Sequence, residues 1–272
     1  MRYLAPARNA IDPSVFSFAP LNQWHDYAGW MQGSQWPSID ELNACWPCDA
    51  DERFVAQTRD LLDDGLHYEE RIANHALIAT RQANWHDLFN AMIWLRYPRL
   101  KRALNRQQAA DVVRFGRHER SRAQYAQTHF DEAGVIVTLR DPALLAAWDA
   151  HDWHGLFWRQ RDAWRDDRIE VEVFGHALLE HALTPGKLLV GKALVVLAEE
   201  PMRPSDAMAC CADAIAAGAV LRDPLELRPL PLSGIPGWHA ENESEAFHHA
   251  AACYQPLRAG RCYLPPLRRD GG

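Results

Sequence analysis

The chain has 272 residues, 48% of them hydrophobic and 24% charged, and carries a net charge of -7 at neutral pH. That balance excludes a largely disordered polypeptide, and the acidic excess argues against indiscriminate binding to nucleic acid or anionic membrane. The longest apolar stretch, Leu188 to Ala198, is interrupted by Gly191 and Lys192 and is about half of the roughly 20 residues a membrane helix needs, so no bilayer span and no membrane partner is expected.

The segment Met1 to Pro20 holds Arg2 and Arg8 but lacks the unbroken apolar core of a secretory signal. Six unevenly spaced cysteines then read as reduced thiols, and a cytoplasmic location is the expectation. Without an obvious seam, one large domain over 38–272 is expected behind an arm over 1–37.

Residues 1–37 mix Pro6, Pro13, Pro20 and Pro37 with Trp24, Trp30 and Trp36. This predicts an irregular arm that packs through aromatic anchors. Ile39 to Ala44 reads as helix. The acidic run from Asp49 to Glu52 looks like a helix start, with Phe54, Val55, Leu61 and Leu62 at helical spacing and Gly65 as the stop. His67 to Thr80 reads as two short strands or one bent strand.

Asn84, three residues before Asp87, caps a helix through Leu95, which Tyr97-Pro98 interrupts. Pro98 opens a second helix to about Phe115. Val135 to Leu139 and Ile169 to Phe174 are expected strands. Helices are expected from Asp141-Pro142 into Trp148, from Trp153 to Trp164, and from His176 to Leu183. Leu188 to Ala198 reads as a buried strand, Ser205 as the cap of a helix to Ala217, and the proline-rich tail from Pro224 as mostly loop. The sum is an α+β protein, helix-rich with a small sheet. Trp-His-Asp occurs at Trp24 to Asp26 and again at Trp85 to Asp87, too little for a repeat.

Several motifs suggest chemistry. Gly186 to Ala193 nearly matches a phosphate loop, but Ala193 stands where a magnesium-binding hydroxyl is needed and the flanks read as strand. Cys45-Trp46-Pro47-Cys48 has redox spacing without the expected strand before it. A zinc site completed by Cys253 and Cys262 competes with plain reduced thiols.

The richer constellation lies on two helices. His86 and Asn90 stand four apart beside Asp87, and His176 and Glu180 also stand four apart, so each pair brings a nitrogen and an oxygen to one helix face. Catalytic roles are expected for His86, Asp87, Asn90, His176 and Glu180. A divalent metal is the cofactor such groups admit, with His86, His176, Glu180 and Asp131 as ligands. Asp131 and Glu132, read as a turn before Gly134, offer further carboxylates. A hydrogen-bonded core network explains the same residues without catalysis. His151 and His154 form a weaker pair that an aromatic helix face also explains.

Between Arg99 and Arg122 lie eight basic residues against Asp111 and Glu119. Arg99, Arg102 and Arg106 share a helix face and, with Arg81, are candidates to bind a small anionic or phosphorylated substrate; ion pairing to acids elsewhere is the alternative. His86-Asp87 also spells the dipeptide of the HD phosphohydrolases, but that fold is all helical whereas this chain interleaves strands.

Thr80-Arg81, Asn84-Trp85-His86-Asp87-Leu88-Phe89-Asn90, Pro98-Arg99 and Leu104-Asn105 are joined by Phe130-Asp131-Glu132-Ala133-Gly134, Phe174-Gly175-His176-Ala177-Leu178 with Glu180, Pro229-Leu230-Pro231, and Gly234 through Trp238. In order and spacing, from about Asp49 to Arg258, these blocks resemble a bacterial family known as domain of unknown function 3025. The resemblance implies no particular activity. Its polar positions fall on His86, Asp87, Asn90, Asp131, Glu132, His176 and Glu180. Where the family pattern has Arg-Asp ahead of the Asp-Glu block, this chain has Arg122-Ala123-Gln124, so no role for an acid there carries over. The sequence supports a cytoplasmic hydrolase built on these residues. Its rival is a non-catalytic module for nucleic acid or another anionic ligand, with nucleic acid the less favoured partner.

Overall fold

The computed structural model describes residues 3–116, 120–198 and 201–268. The arm folds as 3-10 turns at Arg8–Ala10, Pro13–Ser17 and Leu21–Tyr27, followed by helix α1 (Ala28–Gln32). As expected it is anchored by aromatics. Trp24 is buried, edge-on to Tyr97 and covered by the Arg96 guanidinium 4.1 Å from its ring centre, while the Arg8 guanidinium lies over Trp36 and Trp85. Val15, Phe16, Leu21 and Met31 join the main core, so the arm is part of the folded body.

After α2 (Ile39–Asn43) the expected helix from Asp49 is replaced by strand β1 (Arg53–Ala56) and a short α3 (Arg59–Leu62). The expected strand from His67 is instead α4 (Tyr68–His75), followed by β2 (Leu77–Thr80). Both differences have one origin. The β1 strand pairs in parallel with β2, Phe54 opposite Ile78, across a connection that local pattern cannot reveal. The start of α4 is fixed by a reciprocal cap, in which the Glu69 N–H donates to His67 Nδ1 and the His67 N–H to Glu70 Oε2.

Next come α5 (Trp85–Arg96), capped by Asn84, and α6 (Pro98–Phe115), opened by its proline, both as expected. An unanticipated α7 (Arg122–Ala133) follows, then β3 (Gly134–Leu139), α8 (Ala143–Asp149), a π-helical turn at Gly155–Arg159, α9 (Arg161–Arg165), β4 (Ile169–Val173) and α10 (His176–Ala182). The remainder is β5 (Val190–Leu197), α11 (Pro204–Ala216), β6 (Arg228–Pro231), α12 (Glu245–Ala250) and β7 (Leu267–Arg268). Pro204, not Ser205, opens α11, with Arg203 as its cap. The tail is therefore less loop-like than its prolines suggest.

The main sheet runs β4-β3-β5-β6, and β7 pairs with the distal part of β5 on the edge that β6 leaves. Fully buried β3 is antiparallel to β4 and parallel to β5. The Gly186 to Ala193 run is turn and strand, with Ala193 opposite Val135, which disposes of a phosphate loop. The protein is α+β, a single helix-rich domain with a small sheet, an N-terminal arm and a proline-rich tail. No helix among the described residues is long and apolar enough to cross a membrane.

Candidate functional site

Register explains why distant residues meet. Because β3 and β4 are antiparallel, with Val135 opposite Val173, the entry to β3 and the exit from β4 lie at the same end of the sheet. The α7 helix runs into β3 there, and α10 leaves β4 there. The junction is locked by the Phe174 and Gly175 N–H groups, which both donate to Gly134 O (3.0 and 2.8 Å), and by Phe130 stacked on Phe174. A Cβ on Gly175 would lie 2.5 Å from Ala133 Cα, Glu132 O and Gly134 N. Only glycine lets the two helix ends approach so closely. The last turn of α7 therefore faces the first turn of α10, with α5 packed against α10.

At this meeting point His86 Nε2 lies 2.9 Å from His176 Nε2. Glu132 completes the group, its carboxylate oxygens 4.0 Å from His86 Nε2 and 3.6 Å from His176 Nε2. These three side chains could hold a metal ion, each offering one ligand atom. Glu180 sits behind His86, its Oε2 3.0 Å from Nδ1 on the ring's far side. That is the carboxylate-histidine arrangement that fixes a ring's tautomer and leaves Nε2 for coordination. Asp131 is 4.0 Å from His176 Nδ1 and accepts a 2.6 Å bond from buried Lys101. The ligands expected from sequence thus divide: His86 and His176 converge, while Glu180 and Asp131 stand one layer out and Glu132 takes the inner place.

Electrostatics separates the two histidines. Burial opposes charge on His86, but the bond to Glu180 and the charges of Glu132 and Glu180 outweigh it, and its pKa is raised. Burial dominates at His176, reinforced by His86 and Lys101 against the pull of Asp131, and drives its pKa down to about 3. His86 is thus the more basic of the two rings, and His176 the one that stays neutral. Burial raises the Glu132 carboxyl, with His86 opposing, whereas at Asp131 the nearby Lys101 and His176 overcome burial and keep the group ionised.

The histidines open onto a cavity of about 300 Å³ whose wall includes Tyr68, Glu69, Arg81, Asp87, Asn90 and Arg120. Asn90, one helical turn beyond His86, accepts from Lys101 Nζ (2.8 Å) and donates to the Tyr68 hydroxyl (2.9 Å). Lys101 orients the amide, and the amide makes the Tyr68 oxygen an acceptor, so the phenol proton is left to donate elsewhere. The phenol pKa is raised by burial, so that proton is retained. Glu69 accepts from Asn105, and burial together with Asp131 raises its carboxyl to about 7.

Asp87 is not aimed at the histidines. It clamps Arg81, taking the backbone N–H and Nε on one oxygen and Nη2 on the other at 2.6 to 3.0 Å. The His-Asp dipeptide therefore does not form a paired ligand, in keeping with a fold that is not all helical. Of the expected anion-binding arginines, Arg81 lines the cavity. Arg99 is paired with Asp213 and Arg102 with Glu52, Arg106 is exposed, and none of the three reaches the cavity. Arg120 lines it instead, and Arg117 lies outside the described residues. Among the described residues, no cluster of three or more groups able to hold a metal contains cysteine, so Cys45, Cys48, Cys253 and Cys262 do not build the zinc site that their spacing allowed.

Lys101 was legible only as part of a basic segment, since its burial depends on Asp131 30 residues away. Sequence spacing also missed α7, although Ser121 and Gln124 form a reciprocal cap at its start. A family model described as "Protein of unknown function (DUF3025)" matches residues 52–258, close to the extent of the sequence resemblance. No curated protein and no solved structure matches the chain. The match spans well over half of the sequence and contains every residue of the histidine cluster and its cavity wall, and on that basis the chain belongs to the DUF3025 family.

Proposed function

We propose that the protein is a metal-assisted hydrolase acting on a small anionic substrate, with His86, His176 and Glu132 holding a divalent ion. The observation that carries this reading is the approach of two imidazole Nε2 atoms to 2.9 Å beside a carboxylate, next to a polar cavity of about 300 Å³. Two histidines, one carboxylate and an open side are a donor set suited to a catalytic zinc-like ion. A bound ion of that kind supplies a water ionised near neutral pH.

The chain's own residues supply the rest. Glu180 holds the Nδ1 proton of His86. Arg120 offers positive charge to an anionic group, Arg81 being largely neutralised by Asp87, and the Tyr68 hydroxyl is a donor to a substrate oxygen. Glu69, with its carboxyl near 7, is poised to accept or release a proton. The rival reading, a module that binds anions through the arginine-rich segment, is less well supported because Arg99, Arg102 and Arg122 are paired with Asp213, Glu52 and Asp223.

The test is metal content by mass spectrometry on tag-free protein, with a folded His86→Ala, His176→Ala variant beside it, followed by turnover of a chromogenic phosphate monoester and carboxylic ester. About one divalent ion per chain, lost in the variant together with turnover, is expected. Wild type that stays free of metal after incubation with zinc, manganese or iron(II) rules the reading out.

A further inference from the structure

We propose that His154, Glu245 and His249 form a second cation site, for a divalent first-row transition ion such as zinc, that ties the tail to the body of the protein. Glu245 and His249 are four apart on α12 and so share a face, with Glu245 Oε1 3.8 Å from His249 Nε2. His154, which immediately precedes the π-helical turn, brings its Nε2 within 3.0 Å of the same oxygen. For metal bonds of about 2.0–2.1 Å in a tetrahedral site, neighbouring ligand atoms lie about 3.3–3.4 Å apart. The two separations straddle that value, and all three ligand atoms lie within 4.8 Å of one another.

The surroundings single out these three groups. Next door, His248 is committed through both ring nitrogens, to the Tyr254 hydroxyl and Asn242 O, and Glu243 is engaged by Arg161 and Arg165. His151 is likewise committed, to Gln255 O and the Tyr263 hydroxyl. His154 and His249, by contrast, stack on each other with ring centres 4.4 Å apart and planes 16° apart, and both face Glu245. Parallel rings cannot aim both lone pairs at one point, so binding requires the His249 ring to turn. Its side chain is 62% exposed, and such a turn meets little resistance. Two imidazoles favour zinc, nickel or copper over magnesium or calcium.

The inference does not depend on the proposed catalytic site, and the experiment separates them. Zinc is titrated calorimetrically at pH 7.5 into wild type, His86→Ala/His176→Ala and His154→Ala/His249→Ala, with His151→Ala as a control. The expected result is one binding event that survives the first double variant and His151→Ala but weakens at least tenfold in the second. Weaker binding than at the buried cluster is expected, since no carboxylate among the described residues is bonded behind either ring. If His86→Ala/His176→Ala does not fold, wild type and His154→Ala/His249→Ala, differing by one equivalent of zinc, give the same decision. Zinc binding that is identical with and without His154 and His249, at up to about 100 times the protein concentration, overturns the proposal.

Discussion

Lys101 shows how much one buried charge organises. Its ammonium bonds Asn90 on one side and Asp131 on the other, and both it and Asp131 are largely removed from solvent. Removing one member of such a pair leaves the other charged and unsatisfied, at a cost of about 3–5 kcal/mol. Lys101→Met should therefore destabilise by that order in urea unfolding, and adding Asp131→Asn should recover much of the loss. If the double variant is no more stable than the single one, the pair is not what holds this region. Glu69 gives a pH signature. Its carboxyl titrates near 7 when folded and near 4.3 when unfolded. Between those values the folded chain retains a proton that the unfolded chain has lost, so stability contributed by this group falls as pH rises and is lowest above 7. Glu69→Gln should match wild type near pH 4 and be the more stable protein at pH 8, as read by denaturant melts at both. A gap that does not widen with pH would remove Glu69 as a buried acid. At this scale sequence spacing isolates His86, Asn90, His176 and Glu180, because i, i+4 pairs depend on helix geometry alone. It does not rank Glu132 above Asp131, since that choice depends on which of two adjacent carboxylates Lys101 takes.

Among the elements, the α7–β3 and β4–α10 junction is the most exacting. Gly175 has no room for a side chain because backbone atoms, which cannot rotate away, line the space. Gly175→Ala should push the start of α10 from the end of α7, separating His176 from Glu132 and lowering metal affinity by about 10- to 100-fold, the order seen when ligand positioning is lost, while helix content by circular dichroism is kept. Unchanged affinity would mean that the junction does not set the site. Elements with strong local signals are legible: the Asn84 cap of α5, the Pro98 start of α6, the β-branched run of β3. Those that depend on distant partners are not. Strand β1 looks helical until β2 pairs with it, and α7 has too few apolar residues to show a stripe, with Ala126 and Phe130 carrying its buried face.

For the whole molecule, the mixture of helix and strand patterns along the chain suffices to give the α+β class and the tryptophans suffice to indicate an anchored arm, but strand order is not written in any local pattern. The parallel neighbour of β3 is β5, which arrives only after α8, α9, β4 and α10. His86 and His176, in contact through their rings, are 90 positions apart in the chain. An ion shared by them would close a long loop and would bind the folded chain far better than the unfolded one. Its concentration then enters the folding equilibrium by mass action: at 100 times Kd the gain is about 2.7 kcal/mol. With His154 and His249 replaced by alanine, the midpoint of thermal unfolding should climb with free zinc when His86 and His176 are present and stay flat in a folded variant that lacks them, as followed by differential scanning calorimetry. A flat profile with His86 and His176 present would show that no such linkage exists. With the linkage in place, the lifetime of the protein against proteases would track metal supply, so that scarcity would remove the chain as well as empty it.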